Sequence, residues 1–298
     1  MMRARNLWAS STMACAALFG TAHAQTPGQA PDVCALASAP AGSWRVRVPF
    51  EVIDGRIYVQ ATVNERGPFR FAVDTGASGM GRADSSLVAA LGLAVHDEAD
   101  NSDGVTTSKA DVTRFDSLEV GGLVRRNLEV MTRDYSGNKP PAEKFSGIIG
   151  RDFFNDGLLV IDYPNTTLSF SRSLALHEGQ AGVLPYERAF RIPVSIGNMQ
   201  TTGNLDTGAN VAFVLPEAMY TQVSRTPLEK AGAGTLSNTQ VQTGRATLHG
   251  PFRLGAATVS DVEVRVSDSY PELLVGAHAL QNMTLLIDQR SQSVALCP

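Results

Sequence analysis

The chain is poor in the residues that several kinds of chemistry require. It has three cysteines and five histidines in 298 residues. His23, His96, His177, His249 and His278 are scattered, with no i, i+4 pair, so a helical zinc site is excluded and no metal is expected. No Gly-x-Ser-x-Gly elbow occurs, which removes the main signal of a serine hydrolase. No Gly-Lys-Ser/Thr follows Gly76, Gly79 and Gly81, so these glycines do not make a phosphate loop. Basic runs are missing, and a formal net charge of −4 argues against a nucleic-acid partner. Beyond the N-terminus no apolar run reaches the roughly 18 residues of a membrane span. What remains, 43% hydrophobic and 18% charged residues, is a globular composition with enough apolar material for a substantial core.

The first residues have the layout of a secretory leader. Arg3 and Arg5 open it, an apolar stretch runs through Met13, Ala16, Leu18 and Phe19, and Ala22-His23-Ala24 offers a small-x-small cleavage site. Residues 1–24 are therefore expected to be removed, leaving a mature chain that starts near Gln25 in the periplasm or outside the cell. Lipidation at Cys15 is a weaker alternative, because no large aliphatic residue stands three positions before it. Residues 25–43, rich in Ala and Pro, read as a loose lead-in. Two cysteines remain in the mature chain, Cys34 and Cys297. An oxidising compartment permits them to pair, which would tie the two ends together; two unconnected thiols are the alternative.

The chain repeats itself. Ala72-Val73-Asp74-Thr75-Gly76-Ala77-Ser78 returns as Asn204-Leu205-Asp206-Thr207-Gly208-Ala209-Asn210, 132 residues later. Each copy follows an alternating stretch that reads as a strand, 57–63 in one case and 190–196 in the other. Each precedes a short helical pattern, Ser85 to Leu91 and Pro216 to Val223, the second with a proline suited to a helix start. Later in each half an aliphatic run ends in glycine: Gly147-Ile148-Ile149-Gly150 and Leu273-Leu274-Val275-Gly276. Beyond them Leu159-Val160-Ile161-Asp162 aligns with Leu285-Leu286-Ile287-Asp288 at a constant offset of 126. The recurring Asp162 and Asp288 read as structural hydrogen-bond acceptors at strand ends. Duplication and fusion account for the pattern, with lobes at 44–172 and 186–298 and a linker at 173–185, where Gly179, Gly182 and Pro185 break any periodicity.

One Asp-Thr-Gly is a common turn; two in matching settings point to chemistry. Amide hydrolysis without metal or covalent intermediate needs a base for water and an acid for the leaving nitrogen. Two facing carboxyls that share a proton supply both. At about 3 Å and an effective dielectric near 20 their charges would repel by roughly 5 kcal/mol, so both cannot ionise together. Asp74 and Asp206 are the expected pair. Gly76 and Gly208 let the backbone approach them closely. Thr75 and Thr207 are placed to bond across the symmetry axis, and the Ile149-Gly150 and Val275-Gly276 segments are expected to pass behind the two turns. Ala77 and Ala209 have no hydroxyl to stabilise a charged carboxylate, which predicts a dyad less acidic than one flanked by serine.

These motifs resemble the retropepsin-like aspartic peptidases. The segment from Arg66 to Ser78, followed by Leu91-Gly92-Leu93, looks like the bacterial members, and Ile148-Ile149-Gly150-Arg151-Asp152 is similar to the segment that closes retroviral proteases. The resemblance implies a β-rich lobe around each aspartate and hairpin flaps over an extended peptide or protein substrate, with no cofactor. Retroviral enzymes reach two aspartates by dimerising, whereas here one chain carries both, so a monomer is expected. The resulting expectation is an all-β fold with a few short helices, built of two pseudo-symmetric lobes with a cleft between them. A non-catalytic peptide- or ligand-binding protein of the same fold is the alternative. Two departures stand out: Ser78 replaces the acid that would pair with Arg151, and Ala277 stands where the first half has Arg151. The flaps are placed near Asp103-Gly104 and near Gly244.

Overall fold

The computed structural model describes residues 32–298 apart from positions 138 and 237. The expected leader, its cleavage site and Cys15 lie outside the described residues. The chain is mostly strand, arranged in three sheets. The first half makes an eight-stranded sheet in the order Glu51–Ile53, Arg56–Val63, Arg66–Asp74, Gly147–Gly150, Gly81–Asp84, Leu123–Arg133, Thr107–Val120 and Val95–Ser102. The second half makes a nine-stranded sheet in which Met199–Asp206, Leu273–Gly276 and Phe213–Leu215 lie side by side, as their counterparts do in the first. Among the described residues no helix is long and apolar enough to cross a membrane.

A six-stranded sheet joins the halves. Its central pair is Leu158–Asp162 against Thr284–Asp288, antiparallel, with Val160 directly opposite Leu286. These two residues are copies of one another in the repeat, so the local two-fold axis passes between them. Leu158, Val160 and Leu286 bury one face of this sheet against Val33 and Leu176; Leu159, Ile161, Leu285 and Ile287 bury the other in the main core. Alternation within each strand thus supplies two apolar layers at once. Residues 33–38 and 41–43 form 3-10 turns, and a disulfide joins Cys34 in the first turn to Cys297 in the last strand.

Local sequence explains the elements that carry the site. Asn64 and Glu65, both at positive φ (49° and 61°), form the tight reversal that pairs Arg56–Val63 with Arg66–Asp74. Helix α1, Ser85–Leu91, begins where Asp84 caps the Ser86 N–H and ends at Gly92 in the left-handed region. Helix α2, Glu217–Val223, starts after Pro216, which occupies the cap position. The third helix, α3, Ala277–Leu280, follows the second aliphatic-Gly run; a 3-10 turn, Arg151–Phe154, holds the same place in the first half. Asp162 accepts two bonds from Asn165, and fully buried Asp288 accepts from the Leu176 N–H and from Arg290, so both work as structural acceptors.

Candidate active site

Asp74 and Asp206 close two strands that are built alike. Beside each runs the aliphatic-Gly strand, parallel and in the same register: Val73 opposite Ile149 and Asp74 opposite Gly150, Leu205 opposite Val275 and Asp206 opposite Gly276. Ile149 and Val275 are fully buried and hold the strand ends against the core. Side chains larger than hydrogen have no room at the two glycines, since Cβ on Gly150 would run into the Gly79 carbonyl oxygen and Cβ on Gly276 into that of Val211. After each aspartate the chain turns back on the carboxylate. Asp74 Oδ1 accepts from the N–H groups of Gly76 (2.8 Å) and Ala77 (3.0 Å); Asp206 Oδ1 accepts from Gly208 (2.8 Å).

The two turns interlock. The Thr75 N–H donates to Thr207 Oγ1 (3.1 Å) and the Thr207 N–H to Thr75 Oγ1 (3.0 Å), while the hydroxyls donate to Leu205 O (3.1 Å) and Val73 O (2.8 Å). Both threonines are at most 1% exposed, so these bonds are made out of water's reach. Each turn glycine faces the opposite aspartate: Cβ on Gly76 would stand 2.6 Å from Asp206 Oδ2, and Cβ on Gly208 2.5 Å from Asp74 Oδ2. The two carboxyls are near enough for the charge of Asp74 to act directly on Asp206. Burial first, then the charge of Asp74, pushes the Asp206 carboxyl well above the ordinary carboxylate range; the Gly208 N–H and Arg56 pull it only partly back.

Arg56 was not singled out by the sequence. It crosses from the first half and donates to Gly208 O (Nε, 2.6 Å) and to Asn210 Oδ1 (3.1 Å), and Asn210 in turn donates to Asp54. In the first half Arg151 donates to Gly76 O (3.2 Å), and its carboxylate neighbour is Asp152, 3.9 Å away, in place of the missing acid at Ser78. Ala277 cannot do for Gly208 what Arg151 does for Gly76. Arg56 does it from the other half. The alanine at position 277 was the available clue.

Two hairpins meet tip to tip. One joins Val95–Ser102 to Thr107–Val120, with its turn at the expected Asp103-Gly104. The other joins Glu229–Thr235 to Gln240–Leu248, with Thr235 opposite Gln240 at its tip, so Gly244 sits inside a strand, where Cβ would stand 3.0 Å from the Leu228 side chain. Asn238 holds the junction. Its N–H donates to Asp103 Oδ2 (2.7 Å) and its amide to the carbonyls of Asn101 (2.7 Å) and Thr106 (3.0 Å). Burial opposes ionisation of Asp103, but the N–H groups of Thr106, Asn238 and Val105 outweigh it and keep the carboxyl below its usual value. Next to the first tip is Tyr270, 3.4 Å from a Cβ on Gly104; burial, then the charges of Asp206 and Glu272, push its hydroxyl up to about 12.

Residues 59–153 match the aspartyl protease family. The match takes in the first Asp-Thr-Gly turn and the first aliphatic-Gly strand, while the second copies lie outside it. No curated protein matches the chain.

Proposed function

We propose that the protein is an exported aspartic endopeptidase that hydrolyses peptide bonds with a water activated between Asp74 and Asp206. The observation that carries this reading is the cross-wise packing of each turn glycine on the opposite carboxyl. Asp74, which accepts two backbone N–H bonds on one oxygen, is the better-stabilised carboxylate and acts first as base towards water. Asp206 holds the proton and polarises the substrate carbonyl. As water adds, its proton passes to Asp74, which then protonates the leaving nitrogen. Thr75, Thr207, Gly76, Gly208, Ala77, Ala209, Ile149, Gly150, Val275 and Gly276 keep the carboxyls in register. The two hairpins cover an extended peptide, and no cofactor takes part.

The working chain is a monomer that begins near Gln25, with fused lobes at 44–172 and 186–298 joined by 173–185. The Cys34–Cys297 bond supports an oxidising location, periplasmic or extracellular. The test is digestion of a peptide library by the mature protein across pH, with and without a statine-type transition-state analogue. The unaltered protein should cleave and be inhibited, and Asp74→Asn and Asp206→Asn should each lose at least about a thousandfold while keeping the fold. Tight binding of peptides without any hydrolysis by the unaltered protein would instead make it a binding protein.

A further inference from the structure

Resting on the peptidase reading, we infer that Arg82 makes the first-half wall of the cleft a receptor for a substrate carboxylate, so that cleavage favours peptides with Glu or Asp at one position.

The sheet register places Arg82 on the face that carries the dyad. Tyr58 pairs with Ala72, Ala72 with Ile148, Ile148 with Arg82, and Arg82 with Met131, in one row across four strand boundaries. Directly paired residues share a face, and so do residues two apart along a strand, so this row lies on the same side as Asp74. The adjacent residues Val73, Ile149, Ala83 and Val130 point the other way, into the main core. An arginine in the row therefore faces away from the main core, on the dyad's side of the sheet, where Tyr58, Ala72 and Ile148 form a smaller buried cluster with Ala77, Phe145 and Tyr135.

Its charge has no counterpart. Arg82 is 8% exposed, and its guanidinium donates to Asn101 Oδ1 (2.9 Å), Met131 Sδ (3.1 Å) and, at the limit of a hydrogen bond, Ser78 Oγ (3.5 Å). All three acceptors are neutral, and among the described residues no carboxylate makes an ion pair with it. Three other partly buried arginines do have carboxylate partners: Arg125 with Asp156, Arg265 with Glu263, Arg290 with Asp288. A desolvated cation held only by neutral groups is costly, and such a group is normally matched by an anion. Guanidinium geometry suits a carboxylate, which it can grip with two parallel bonds.

A second group addresses the same space. The Tyr135 hydroxyl is buried beside the guanidinium, has no well-formed hydrogen bond to any described residue, and feels the charges of both Arg82 and Asp74. It can donate to the incoming carboxylate that Arg82 binds. Ser78 is exposed and lies four residues after Asp74; Asn101 belongs to the covering hairpin and also bonds Asn238 at the junction. A side chain entering as the hairpins part would displace the long Ser78 contact. The feature is confined to one half of the cleft: Val214 pairs with Leu274 as Arg82 pairs with Ile148, and it carries no charge.

The test uses the mature protein and peptides blocked at both ends, with Glu or Gln at each of three positions on either side of the scissile bond. One position should show a Glu-over-Gln advantage of about tenfold or more in kcat/KM. Ser78→Asp, which puts a carboxylate beside the guanidinium, and Arg82→Met should each bring that ratio to about one. Equal cleavage of Glu and Gln peptides at every position, or a preference that survives both substitutions, would overturn the inference. Peptides with a free rather than amidated C-terminus separate the sources: an advantage seen only with the free acid assigns the site to the chain end and rejects the side-chain selectivity. If nothing is cleaved, the peptidase reading fails by itself. Binding of two statine peptides that differ in Glu against Gln then decides on Arg82, with about tenfold tighter binding of the Glu form supporting it and equal binding refuting it.

Discussion

Thr75 and Thr207 exchange their hydrogen bonds reciprocally, each hydroxyl accepting the other's N–H while donating to the strand that precedes the other's aspartate. Four bonds thereby fix two aspartates that are 132 residues apart. Replacing Thr207 by the isosteric valine strands the Thr75 N–H and the Val73 carbonyl in a water-free site. The expected cost is about 3 kcal/mol in urea denaturation, with peptidase activity falling further than stability explains. A loss below about 1 kcal/mol would mean that the exchange is ornamental.

The raised Asp206 carboxyl gives the fold a signed pH dependence. The folded chain keeps the Asp206 proton above the pH at which the unfolded chain releases it, so this group weakens the fold as pH rises from about 4 towards neutrality and has no such effect below the unfolded value. Asp206→Asn cannot ionise in either state. The melting temperature of this variant relative to the unaltered protein should therefore climb between pH 4 and pH 7; a constant difference would show that Asp206 titrates normally. Activity should likewise peak well above pH 2, because a dyad biased towards protonation loses its single charge in strong acid.

Arg56 acts on Asp206 through position and through charge. Arg56→Ala removes the bonds to Gly208 and Asn210 and the positive charge that draws the Asp206 carboxyl down. The rate kcat should fall about tenfold with KM little changed, and the alkaline limb of the pH profile should move upward because Asp206 then holds its proton longer. A rate loss with an unmoved profile would assign Arg56 a packing role alone.

The Cys34–Cys297 bond closes a loop of 263 residues, so it constrains the unfolded chain strongly. Cys34→Ser should cost about 2–4 kcal/mol in guanidinium denaturation, and reductant should weaken the unaltered protein by a similar amount and the variant by nothing. Activity of the folded fraction should persist, because Val33, Cys34 and Cys297 pack on the joining sheet and not on the dyad.

Much of this was legible because it is local or repeated. Helix α1 runs from Ser85 to Leu91 as its pattern implied, since Asp84 and Gly92 mark its ends within the chain itself. The offset of 126 reappears as Val160 facing Leu286. What escaped were side chains whose partners lie in the other half. Nothing around Arg56 announces that it will bond Gly208, and nothing around Asn238 announces Asp103. Gly244 misled for a related reason: glycine reads as a turn residue, but here it makes room for Leu228 inside a strand. Nothing around Arg82 in the chain says which way it faces; only the register does.

The pairing of Val160 with Leu286 has a consequence for how the protein behaves when scarce. Two-chain arrangements fall apart on dilution, because their halves must find each other by diffusion. A covalent tether with a shared sheet makes that encounter intramolecular. Specific activity should hold constant from micromolar to picomolar protein, and a fall on dilution would show that the working species needs a second chain.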